Sequence, residues 1–275
     1  MSLREMGAVL EGYAPLGRLL REDPMLVGQH YKSEIQAGAD VLLALTSDTM
    51  PRALAHVGMA FRAAALTRCA VELAIEAAHA ADRKVVVAGV LGNRWIESMV
   101  AERIAEEWSM HAVRLAASGC ELIVARGLAR AASAPVNLAR IARAAAVVSA
   151  GATRLPTWAL LELDEAHETP DGEALEGCAA AAMEAGAQVL LLEVPRVEVA
   201  LEALKRVVAT CPGAKVGVLL GAGAGAEGGG ERSSIEVWVS AAKSILSEGA
   251  RVLGGGPGTT ARYVAALSRA LHEGH

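Results

Sequence analysis

Residues 175–193 read LEGCAAAAMEAGAQVLLLE, and this stretch decides the fold. Leu175 to Glu184 carries small and apolar residues at helical spacing, and Ala185-Gly186-Ala187 ends it with the residue best able to take a left-handed backbone. Gln188 to Glu193 then follows as an unbroken apolar run closed by a carboxylate. A strand buried on both faces has that continuous pattern, whereas a strand facing water on one side alternates. Helix, glycine and doubly buried strand therefore make one unit of a parallel α/β sheet.

The same junction recurs at Ala37-Gly38-Ala39, Ser118-Gly119-Cys120 and Glu248-Gly249-Ala250. Further apolar runs lie at Asp40 to Thr46, Lys84 to Gly89, Glu121 to Ala125, Pro156 to Leu163, Lys215 to Leu220 and Arg251 to Gly254. A weaker run, Gly7 to Leu10, is expected to open the sheet as a first strand. Between them the spacing predicts helices over Ala60 to Ala80, Met99 to Ala117, Pro135 to Val148, Val197 to Val208, Ser234 to Ser247 and Thr259 to Leu271. A doubly wound open sheet fits this alternation too. Eight runs in 275 residues favour a closed (β/α)8 TIM barrel forming a single domain over residues 1–275, with residues 1–3 and 273–275 set aside as remnants of cloning.

Composition narrows the function. Hydrophobic residues make up 53% of the chain, aromatics only 3%, and the net charge is −5. That balance lacks the dense Lys/Arg footprint of a nucleic-acid surface. No apolar run is long enough to cross a membrane, and no secretory leader is visible. The cysteines Cys69, Cys120, Cys178 and Cys211 are far apart and form no CxxC pair, as expected of reduced thiols in a cytoplasmic protein. The expected partner is a small molecule, with room for a homo-oligomer.

Several blocks in order resemble the homocysteine S-methyltransferase family: Pro24 to Asp40 with its AGAD turn, Val87 to Gly92 (VAGVLG), Leu155 to Trp158 followed by Asp171-Gly172, and above all Glu248 to Thr260 (EGARVLGGGPGTT). Arg52, Leu54 and Gly58 also fall at matching places. The resemblance implies a barrel with its ligand site at the C-terminal ends of the strands. It also implies zinc, held by one cysteine after the sixth strand and a Cys-Cys pair after the eighth, to activate a thiol for methyl transfer. Here those positions align with Glu193, Gly256 and Pro257, so no cofactor is expected. The family's Glu-Thr after the fourth strand aligns with Arg126-Gly127, its Asp-Gly after the first strand with Glu11-Gly12, and its TNTF asparagine with Leu45, while Thr46 is kept.

Candidate roles follow from the predicted strand ends. Arg126 and Glu193 face one mouth and are read either as a carboxylate anchor with a general base or amine partner, or as an ion pair filling a vacated site. Glu11, Thr46, Asp48 and Asn93 are candidate polar contacts. Gly255, Gly256, Gly258, Thr259 and Thr260 form a loop that opens a helix, suited to an anion or merely to capping that helix. The expected protein is a divergent family member without zinc-dependent thiol methylation, binding a small anionic or amino-acid-like ligand. The alternatives are a methyltransferase with a non-zinc route and a barrel enzyme acting on a phosphorylated metabolite. The run Asp164, Glu165, His167 and Glu168 is read as a solvated loop, and Trp95 either as a stacking or a packing group.

Overall fold

The computed structural model describes residues 2–93, 101–128, 136–164, 169, 172–223 and 234–272. Within them lie β1 (Val41–Ala44), β2 (Val86–Asn93), β3 (Leu122–Leu128), β4 (Thr157–Glu162), β5 (Val189–Val194), β6 (Lys215–Leu220) and β7 (Val252–Gly255). Neighbours in sequence are neighbours in space: the sheet order is β1 to β7 without a crossover, and every pairing is parallel. Two helices, α1 (Pro15–Glu22) and α2 (Pro24–Gln36), precede the sheet. The strands are then joined by α3 (Pro51–Ala55), α4 (Ala63–His79), α5 (Ala101–Ala117), α6 (Val136–Gly151), α7 (Leu175–Glu184), α8 (Val197–Thr210) and α9 (Ile235–Ser247), and α10 (Ala261–His272) closes the chain. A sheet that runs in sequence order with helices returning outside it is the TIM-barrel arrangement.

The four expected stop glycines all work as such. Gly38, Gly119, Gly186 and Gly249 have φ between 99° and 105°. In each case the next residue donates back into the last helical turn, as Ala187 N does to Ala182 O at 3.0 Å. The helix therefore ends and the chain reverses into a strand within two residues.

One expectation fails. Residues 7–10 form no strand, so the described sheet has seven strands rather than eight. Gly7 takes φ 93°, Val9 is 71% exposed, and Ala8 and Leu10 lean on the helix layer instead. Length is not the reason, since β1 and β7 are also four residues long; the exposed Val9 shows that this run is not buried on both faces as a strand of the parallel sheet would be.

Side chains alternate across the sheet and build two cores. Outward-facing residues such as Leu42, Val87, Ile123, Leu161 and Leu192 pack under the helices in the main cluster. Inward-facing Ala88, Leu122, Val124, Leu160 and Leu191 form a smaller cluster inside the curl, joined by Trp158, Leu219 and Val252. The inner space is tight: a Cβ on Gly217 would lie 2.7 Å from the Val252 Cβ and 2.9 Å from a Leu191 methyl. This apolar plug is the floor beneath the strand C-terminal ends.

Candidate active site at the barrel mouth

The alternation that buries Leu122 and Val124 inside the curl carries Arg126 to the same face, one step above the apolar plug. On β4 the inward series is Trp158, Leu160, Glu162, and on β5 it ends Leu191, Glu193. Glu162 and Glu193 are in register across the β4–β5 pair, which brings the two carboxylates side by side. Arg126 Nη2 pairs with Oε1 of Glu162 and, at 3.1 Å, with Oε1 of Glu193. The three side chains are only 16–19% exposed. A guanidinium clamped between two carboxylates thus caps the inner core at the mouth.

Of the two readings of Arg126 with Glu193, the ion pair is formed, and Glu162 is a third member that pattern reading missed. Its signal was present in the spacing Trp158, Leu160, Glu162, which puts the carboxylate on the face of two inward apolar residues.

The other candidates are placed differently. Thr46 is fully buried, and its hydroxyl donates to Val90 O at 2.9 Å while accepting from Val90 N at 2.8 Å. Asp48 is 4% exposed and accepts from Leu16 N at 3.1 Å, which holds the start of α1. Both are spent within the chain. Glu11 is exposed and follows no strand; its carbonyl accepts from Arg18 Nη2. Asn93 ends β2, and only its backbone is described. Glu165, His167, Glu168, Trp95 and residues 224–230 of the glycine-rich stretch lie outside the described residues.

The loop after β7 closes on itself. Gly256 N donates to Leu220 O at 2.8 Å, Thr259 N to Gly256 O at 3.2 Å, and Thr259 Oγ1 to Gly256 O at 2.7 Å. Gly258 takes φ 80°, and Thr260 O accepts from Tyr263 N at 2.9 Å to start α10. Gly255 lies against Thr259: a Cβ there would fall 2.3 Å from the Thr259 hydroxyl. At Gly256 a Cβ would meet Leu219 O at 2.6 Å and Gly221 N at 2.9 Å, both backbone atoms. The neighbouring end of β6 is pinned in turn by Trp238, whose indole N–H donates to Gly221 O at 3.1 Å.

The homocysteine S-methyltransferase family model matches residues 6–271, nearly the whole chain. The chain belongs to the homocysteine S-methyltransferase family. Among solved structures it is similar to the homocysteine methyltransferase MmuM from Escherichia coli in its metallated form, with 19% identity, 98% of this chain and 92% of that chain covered, and a TM-score of 0.79. A methyltransferase from Methanosarcina mazei matches at 13% identity over 97% of this chain and 92% of that one, with a TM-score of 0.61. A type I 3-dehydroquinate dehydratase from Clostridium difficile follows at 12% identity, 92% and 89% coverage and a TM-score of 0.54. At these identities the structural likenesses establish the fold. No curated protein matches significantly in sequence.

Membership raises the question of whether the residues present can hold the family's zinc. At the three aligned positions stand Glu193, Gly256 and Pro257, and only the first has a donor side chain. Its Oε1 already meets Arg126, and a cation there would face a guanidinium. Position 256 has no space for any side chain, because the β6 backbone fills the place of its Cβ. Among the described residues no group of three or more His, Cys, Asp or Glu side chains is arranged to hold a metal ion. Zinc sites need three or four protein ligands, so these residues do not fit the family's mode of binding.

Restoring the cysteine tests that fit directly. The Gly256→Cys variant is expected to lose about 2 kcal/mol of stability through overpacking against Leu219 and Gly221, read as a lower urea midpoint. It is expected to gain no stoichiometric zinc. A variant as stable as the parent would show that the loop moves aside freely.

The four thiols offer no replacement nucleophile at the mouth. Burial raises the Cys120 thiol to about 12, and it likewise pushes Cys69 and Cys211 up. Cys178 is buried in the first turn of α7, accepting from Arg143 Nη1 at 3.2 Å and donating to Glu173 Oε2 at 3.4 Å.

Proposed function

We propose that this member of the homocysteine S-methyltransferase family has left zinc-dependent thiol methylation and uses the barrel mouth to hold a small anionic or amino-acid-like ligand. The observation that carries the reading is the Arg126–Glu162–Glu193 cluster, which stands over the inner core where strand ends of a barrel present their chemistry. Glu193 and Gly256 carry it further, since the family's thiol-activating ion has neither its ligands nor its space there. In this reading Arg126 orients the ligand by its charge and the two carboxylates hold a polar or cationic group. The absence of a helix long and apolar enough to cross a membrane, among the described residues, and the spread of free cysteines support a cytoplasmic setting.

The test joins metal analysis of the purified protein, a homocysteine methylation assay with several methyl donors, and a thermal-shift screen of amino acids, thioethers and sugar phosphates. The expected result is zinc far below one per chain, no methylated thiol, and a rise in Tm with an amino acid or a related small ligand. Stoichiometric zinc together with methionine formation would overturn the proposal.

A further inference from the structure

The helix layer closes on itself, and the sheet beneath it does not. α2, α4, α5, α6, α7, α8 and α9 each pack on the next, α9 packs on α10, and α10 returns to α2. The layer is tight at that seam: a Cβ on Gly38, just past α2, would lie 2.7 Å from the Ser268 Cβ of α10. Among the described residues no backbone bond joins β7 to β1 below it.

Both edges of this slot present backbone groups and apolar side chains. In a parallel ladder alternate residues bond to opposite sides. Val86 N donates to Asp40 O at 2.9 Å, and Arg251 N to Val216 O at 2.8 Å. Val41 and Leu43 on β1, and Val252 and Gly254 on β7, therefore turn their backbone groups to the slot. Val41, Leu43 and Val252 are also only half-buried against the inner cluster. Above them Leu45 N donates to the Tyr31 hydroxyl at 2.8 Å, which limits the opening to a short strand. Open edges and half-covered apolar groups both favour an added strand.

The segment ahead of α1 lies at the same seam. Gly7, Ala8 and Val9 line a cavity of about 240 Å³ with Arg18, Leu19 and Leu26 of α1 and α2. Val9 is 71% exposed, and the turn into α1 is made at Gly12 and Ala14 with φ of 72° and 42°. The residue pattern is that of the strand ends at the mouth. Val124–Arg126, Leu160–Glu162 and Leu191–Glu193 each set an inward apolar residue two places before an inward charge, and Val9–Glu11 repeats this spacing. Ala8 and Leu10, on the opposite face, already contact the outer core. From Glu11 the chain returns to β1 through α1 and α2, the helical crossover that a parallel neighbour requires.

We infer that residues 7–11 are a strap that closes the barrel: they enter the slot between β7 and β1 as an eighth parallel strand, with Val9 in the inner core and Glu11 at the mouth. Gly12 and Ala14 are the hinge. The closed form is the more stable one in solution, because the strap pairs both edges and covers Val9, Val41, Leu43 and Val252. Closure does not depend on what the mouth binds.

Amide hydrogen exchange of the full chain, compared between parent and Val9→Asp, tests this. In the parent, Val9, Leu10, Val41 and Leu43 are expected to exchange at least about tenfold more slowly than in the variant. Val9→Asp is also expected to lower Tm by at least about 4 °C, since the slot would put an unpaired carboxylate into the inner core. Val9→Thr, which keeps the shape and adds a hydroxyl, gives the same comparison where Val9→Asp does not fold. Equal exchange and equal Tm in parent and variants leave the strap on the helix layer and overturn closure. Protection that rises with protein concentration, together with a dimer in sedimentation, gives the slot to a second copy and overturns closure within one chain.

Discussion

Arg126→Met is expected to lower stability by about 3 kcal/mol at pH 7.5, the low end of what losing one partner of a buried ion pair costs. The reason is what remains behind. Glu162 and Glu193 stand in register on adjacent strands above an apolar floor, and without the guanidinium two like charges face each other there. Partial exposure of 16–19% keeps the effect below that of full burial. Parallel urea titrations of parent and variant at pH 7.5 measure this difference. A deficit under about 0.5 kcal/mol would mean that solvent and not Arg126 balances the two glutamates.

The second large effect is acid lability through His111. This residue sits on α5 and is fully buried. Burial and then the positive charge of Arg114 lower its folded pKa from the ordinary 6.5 to about 4. The Thr46 backbone approaches the ring and opposes this shift, but no hydrogen bond of good geometry reaches either nitrogen among the described residues. Because the unfolded chain takes up the proton first, stability is fully present above about pH 6.5 and declines as pH falls toward 4. The difference in proton affinity corresponds to about 3 kcal/mol. His111→Phe keeps an aromatic ring of similar size and should remove this part of the slope, with no loss at pH 7 because two unsatisfied nitrogens disappear. Equal slopes for parent and variant between pH 7 and pH 4 would rule His111 out as the acid trigger.

Much of the fold was legible because its signals are local. The helix over Leu175–Glu184 and that over Ile235–Ser247 match the spacing, and the stop glycines mark where helices give way to strands. Residues 7–10 were misread because their apolar run differs little from that of β7, and only the neighbouring layers decide which run is paired. Thr46 and Asp48 were placed at the mouth by their position after β1, yet their polar atoms turn inward to Val90 and Leu16. A sequence marks such a residue as polar and near a strand end. It does not say whether the acceptor is a ligand or the chain itself.

The sequence by itself determined the periodic parallel sheet, the family, and the presence of glycine and proline at positions 256 and 257, since each depends on residue identity or near-neighbour spacing. Tertiary structure alone decided that Glu162 joins Arg126 and Glu193, and that Gly256 has no space for a side chain. Those facts arise from register between strands far apart in the chain and from backbone packed against backbone. Neither distance is encoded in any local pattern, because both are set by how the whole sheet curls.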